Sequence, residues 1–142
     1  MKKDAQLYEQ KVSELLSVYR KVAPDCFTQK QALKRVVEHP ASRFYIQGHT
    51  AYNKLRSYFN GLTDKIPIEK ECDKRMYEEI YRRVVEMSKQ PEYYGKSLGQ
   101  LCEIIVEQPA PEFYMKPEAF RQILYRERPK IRERLRQMHN IC

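Results

Sequence analysis

Apolar residues recur at helical spacing along nearly the whole chain. Between residues 5 and 22, Tyr8, Val12, Leu15, Tyr19 and Val22 are four or three positions apart, with Leu16 beside them. An α-helix turns once in about 3.6 residues, so this spacing draws one apolar stripe down a helix face. Pro24 ends it. Residues 28–38 open with Thr28 and place Gln31 three positions on, the spacing of a capping box in which each side chain bonds the other residue's amide. Ala32, Leu33, Val36 and Val37 then form the face to be buried. Residues 50–60 give a third helix through Ala51, Tyr52, Leu55, Tyr58 and Phe59, closed by Asn60–Gly61 because glycine accepts the left-handed conformation that ends helices.

The second half runs the same programme. Tyr77, Ile80, Tyr81, Val84 and Met87 line one face of residues 70–88, and Ser97 with Gln100 predicts a second capping box ahead of Leu101, Ile104 and Ile105. Pro117 suits the first turn of a helix carrying Phe120, Ile123 and Leu124. After Pro129, a last helix shows Ile131, Leu135 and Met138 on one side.

The two halves share a phrase. VVEHPASRFYI at 36–46 returns as IVEQPAPEFYM at 105–115, sixty-nine positions on, with six identities in eleven places. The same offset carries Tyr8-Glu9 onto Tyr77-Glu78 and Thr28–Gln31 onto Ser97–Gln100. Beyond the phrase the best match slips by one, pairing Ala51-Tyr52 and Leu55 with Ala119-Phe120 and Ile123. Agreement of caps, stripes and phrase predicts an all-α fold built from an internal duplication. It has five to seven helices: tandem three-helix units at 1–62 and 63–128 sharing one core, and a C-terminal basic helix at 129–142.

The repeated phrase is a corner. Its proline forbids helical continuation, and Phe-Tyr-aliphatic favours extended backbone. Alternation then sends Phe44 and Ile46 one way and Tyr45 the other, and likewise Phe113 and Met115 against Tyr114. The phenylalanines are expected to plug the corner, the tyrosines to sit half out, and the two corners to pair as a short ribbon. Packing outweighs base stacking as the role of these rings, because His39, Ser42 and Arg43 become Gln108, Pro111 and Glu112 in the second copy.

Composition adds an electrostatic lead. Charged residues make up 32% of the chain and the net charge is +8, which attracts polyanions such as DNA or RNA. The opening MKKDAQLYEQK has no leader-like apolar run, so a cytoplasmic protein with no membrane partner is expected. Cys26, Cys72, Cys102 and Cys142 are widely spaced, without the close pairs of a zinc site, and read as free thiols. No phosphate loop, HxxxH or nucleophile elbow occurs, and His39, His49 and His139 fall on two turns and a tail. Glu38 and Glu107, at equivalent helix ends, call for a compensating cation. The expectation is no enzyme, cofactor, metal or small-molecule substrate.

The candidate interface is basic: Arg121, Arg126, Arg128, Lys130, Arg132, Arg134 and Arg136, joined by Lys54 and Arg56 from the first unit. Arg128, Arg132 and Arg136 form one stripe opposite Ile131, Leu135 and Met138. Guanidinium forks suit phosphate oxygens, whereas pairing with neighbouring glutamates would make the same residues an ordinary soluble surface. The second and third helices of each unit loosely match a helix-turn-helix, although about ten residues separate them instead of three or four. The other function carried is a protein-interaction module, homodimer or virion adaptor, using exposed tyrosines.

With its capped helix and PAPEFY corner, SLGQLCEIIVEQPAPEFYMKPEAF resembles small helical proteins of phages and mobile elements of gut Bacteroidetes. The resemblance implies a mobile-element setting, in which small basic helical proteins bind DNA or virion components. It transfers no site residues.

Overall fold

The computed structural model describes the backbone of residues 2–59 and 71–141, with the side chains of 5–56 and 71–130. Six α-helices lie in these residues: α1 (Lys2–Val22), α2 (Gln29–Glu38), α3 (Gly48–Phe59), α4 (Glu71–Ser88), α5 (Leu98–Val106) and α6 (Pro117–Ile141). Single 3-10 turns at Ala23–Asp25 and Pro91–Tyr93 follow α1 and α4. The all-α class holds. The Asn60–Gly61 stop lies outside the described residues, as do the side chains of Tyr58, Phe59, Ile131, Leu135 and Met138.

Local chemistry explains the helix ends. At α5 the capping box is complete: Gln100 N–H donates to Ser97 Oγ at 3.3 Å and Ser97 N–H to Gln100 Oε1 at 2.9 Å. At α2 only half of it forms as expected. Gln31 N–H donates to Thr28 Oγ1 at 3.1 Å, but the Gln31 amide oxygen accepts from Phe27, one residue earlier, at 3.0 Å. A further correction concerns Pro129, which lies inside α6 and does not begin a separate helix. Proline costs one backbone bond there, yet its fixed φ is helical and its neighbours are mostly Arg, Glu and Lys, which favour helix.

The third helix of each unit crosses to the other unit. α3 packs on α5 and α4, while α6 packs on α2 and α1. The spatial bundles are therefore α1–α2–α6 and α4–α5–α3, and neither is a contiguous stretch of chain. The helix-turn-helix pairing is not formed, because the principal neighbours of α3 and α6 are not the helices that precede them.

The corners make this exchange. Ala41 and Ala110 trade backbone hydrogen bonds, each 2.9 Å, in an isolated antiparallel bridge. Phe44 N–H donates to Val106 C=O at 3.0 Å and Phe113 N–H to Val37 C=O at 3.1 Å, a reciprocal pair related by the offset of sixty-nine. The rings repeat the relation, Phe44 stacking on Tyr114 at 5.9 Å and Tyr45 on Phe113 at 6.2 Å. The ribbon is thus a single bridge. Simple alternation fails at Tyr114, whose φ of 54° is left-handed and turns its ring inward, so that Tyr114 is buried while Tyr45 stays half-exposed.

One apolar core joins both halves, including Leu15, Val36, Phe44 and Leu55 from the first and Ile80, Ile105, Phe113 and Phe120 from the second. The register does not slip after the corner. Gly48 and Pro117 begin their helices sixty-nine positions apart, and buried Ala51 and Leu55 correspond to Phe120 and Leu124. Gly48 marks a close approach of α3 to α5, where an added Cβ would lie 2.6 Å from Glu103 Cδ and 2.9 Å from its Cα. Tyr8, expected in the α1 stripe, is 47% exposed, and Val18, outside that stripe, is buried.

Candidate nucleic-acid interface

The exchange redistributes charge. α1 carries five cations against three carboxylates, α2 three against one and α6 seven against three, a net of +8 for that bundle. α4 carries four against five, α5 none against one and α3 two against none, a net of zero. Two bundles of matching topology thus differ by the whole formal charge of the chain.

On α6, Arg121, Arg126, Arg128 and Lys130 are all exposed. The guanidiniums of Arg121 and Arg128 each lie 5.4 Å from the centroid of the Tyr125 ring, which stands 50% exposed between them one turn away on either side. Hydrogen bonding to Arg121, then the charges of Arg121 and Arg128, lower the Tyr125 phenol below its ordinary value. Arg126 donates to the Tyr8 hydroxyl of α1 at 2.8 Å, and Lys130 meets Glu127 at 3.5 Å. The side chains of Arg132, Arg134 and Arg136 lie outside the described residues. Lys54 and Arg56 are exposed on α3, in the neutral bundle, so the structure does not join them to the α6 group.

Contrast with α4 is instructive. There Arg82 bonds Glu79 at 2.6 Å and Glu86 at 2.8 Å, Arg83 bonds Glu79 at 3.0 Å, and Arg75 pairs with Glu112. On α6, among the described residues, Lys130 alone has a carboxylate partner. The α4 arginines are occupied within the protein; Arg121, Arg126 and Arg128 keep guanidinium N–H groups for an outside acceptor.

The corner rings serve packing. Arg83 lies 4.9 Å from the Phe44 ring and donates to Pro109 C=O at 2.9 Å, while Arg75 lies 5.9 Å from the Tyr114 ring. The Tyr45 hydroxyl donates to Glu14 at 2.6 Å, and Glu14 also accepts from Ser42 N–H and Oγ at 3.0 Å. Burial first, then the Glu14 bond, pushes the Tyr45 phenol up to about 12, and burial raises Tyr114 to about 12. Sequence reasoning passed over Glu14 and Arg83. Their signal was available: they are sixty-nine positions apart, opposite in charge, and each braces the corner of its own unit.

Other candidates stand apart from this surface. His49 belongs to the first turn of α3 instead of a connecting turn, and His39 Nδ1 sits 2.8 Å from Pro40 C=O. Glu38 and Glu107 are exposed, and neither pairs with the cation expected of it among the described residues. Burial lifts the Cys102 thiol to about 11, away from the reactive range. Among the described residues no group of three or more His, Cys, Asp or Glu is placed to hold a metal ion, and no helix is long and apolar enough to cross a membrane.

No protein-family model, curated protein or solved structure matches this chain.

Proposed function

We propose that this is a non-enzymatic, cytoplasmic nucleic-acid-binding accessory protein whose α1–α2–α6 bundle lies against a phosphate backbone. One observation carries the reading: crossing of the third helices gathers a net +8 on one bundle and leaves zero on the other. A chain that needed charge only for solubility has no reason to segregate it, and Arg121, Arg126 and Arg128, without carboxylate partners among the described residues, offer the forked donors that phosphate oxygens accept. The likeness to mobile-element proteins is consistent with such a partner.

Gel shift or anisotropy with duplex and single-stranded DNA over a salt series tests it. The logarithm of affinity should fall with the logarithm of salt by about 0.9 per duplex phosphate neutralised. The double variant Arg121→Glu/Arg128→Glu should flatten that slope by about 0.9 for each phosphate it no longer neutralises, while Lys54→Glu/Arg56→Glu leaves it nearly unchanged. Absent binding at low salt removes the proposal. The ring of Phe27, 97% exposed on the α1–α2 connector, favours a second reading, a protein partner or second copy docking there. Sedimentation of the wild type against Phe27→Ser tests the second-copy form: a concentration-dependent dimer that disappears in the variant supports it, a monomer in both counts against it.

A further inference from the structure

Tyrosines at one pair of equivalent helix positions differ sharply in burial between the two bundles. Tyr8 and Tyr77 are related by the offset of sixty-nine and open corresponding stretches of the first and fourth helices, yet Tyr77 is 6% exposed and Tyr8 47%. In the neutral bundle this tyrosine is core. In the basic bundle it stands at a groove of about 610 Å³ between α1 and α6.

We propose that this groove receives the base of an unpaired nucleotide from a single-stranded nucleic acid, stacked on the Tyr8 ring. The inference rests on the nucleic-acid reading above and names the form of strand that it takes. Val12, nearly buried, and Leu16, half-buried, supply an apolar floor. The Arg126 bond to the Tyr8 hydroxyl fixes the ring's orientation, so little side-chain freedom is lost when a base lies on it. Exposed Arg20 lines the same groove and offers a cation to a phosphate flanking an inserted base, Lys130 being taken up by Glu127.

The two carboxylates of the groove narrow the choice of occupant. Glu127 is engaged by Lys130, whereas Glu9 is exposed with no ion pair among the described residues. A bare phosphate would meet Glu9 at close quarters and be repelled. A base presents a neutral ring and exocyclic N–H groups, which a carboxylate accepts. A duplex cannot fill the groove without extruding a base at a cost of a few kcal/mol, so paired DNA should be held by the outer arginines alone. Single-strand sites combine cations with an aromatic platform; here Arg20 on the groove and Arg126 at the Tyr8 hydroxyl supply the cations and Tyr8 the platform.

Anisotropy titrations of the full chain test this with a labelled single-stranded oligonucleotide, the matching duplex and a free nucleoside monophosphate, each against wild type, Tyr8→Ala and Tyr8→Phe. Removing one base stack weakens single-strand binding roughly 5- to 150-fold in Tyr8→Ala. Tyr8→Phe, which keeps the ring, should stay within a few-fold of wild type, and duplex binding should change little in either. Circular dichroism guards against misfolding, and the high exposure of Tyr8 makes the substitution mild for the fold. Equal single-strand affinity in wild type and Tyr8→Ala overturns the stacking site while leaving the charge-based reading intact. A free nucleotide that competes as strongly as the strand overturns the strand as occupant. No salt-dependent binding of either strand form defeats the underlying function and the groove with it.

Discussion

Replacing Phe44 with alanine tests the crossing of the chain at its centre. Phe44 is 1% exposed, stacks on Tyr114 at 5.9 Å and lies under the Arg83 guanidinium at 4.9 Å. Truncating a buried Phe to Ala costs about 3–5 kcal/mol through forgone transfer energy and the residual cavity. The stacked ring and the cation add about 1 kcal/mol, while partial collapse of the cavity recovers some of this. The expected loss is therefore about 4 kcal/mol, which at a urea m-value of about 2 kcal/mol per molar lowers the unfolding midpoint by about 2 M. The control is the same substitution at Phe27, 97% exposed, which should move stability by no more than about 0.5 kcal/mol. Urea titration by far-ultraviolet circular dichroism measures both. A loss below about 1 kcal/mol at Phe44, or equal losses at the two sites, would refute the corner as the core of the fold.

Two further outcomes follow from the same geometry. Gly48→Ala should destabilise the protein by about 1–3 kcal/mol, because the new methyl meets the Glu103 backbone; this overrides alanine's helix preference of about 1 kcal/mol. A melting temperature unchanged or raised would contradict the close α3–α5 approach. Tyr45, Tyr77 and Tyr114 are each pushed up to about 12, chiefly by burial. Their folded values exceed the unfolded value near 10, so their contribution is fully present below pH 10 and lost as pH rises towards 12. Tyrosinate absorbance should accordingly rise in two stages, the exposed rings first and these three together with unfolding; a single stage complete near pH 10 contradicts their burial.

Helix positions and buried faces were legible in the sequence because amphipathic spacing depends on one element at a time. Ala32, Leu33, Val36 and Val37 are buried as their spacing required, and Ser97–Gln100 caps α5 as written. What each face packs against was not legible, since a stripe on α3 looks the same whether α2 or α5 covers it. The corner misled in a related way. Phe-Tyr-Met has the composition of a strand, yet the crossing needs Tyr114 left-handed to bring its ring under Phe44. Tyr8 and Tyr77 are the same letter in the same register, yet one is exposed and the other is core. The positive charge was obvious as a total. Its gathering was not, because the excess lies in residues 1–62 and again in 129–142, at opposite ends of the chain.

Cutting the chain between its halves tests the exchange most directly. A protease site built into residues 61–70, cleaved in the folded protein, should leave residues 1–60 and the remainder as one species of unchanged mass by size exclusion with light scattering. The halves should part only in denaturant, because α3 and α6 are each held in the other half's bundle. Halves that separate on cutting, each keeping its own three helices folded, would contradict the account.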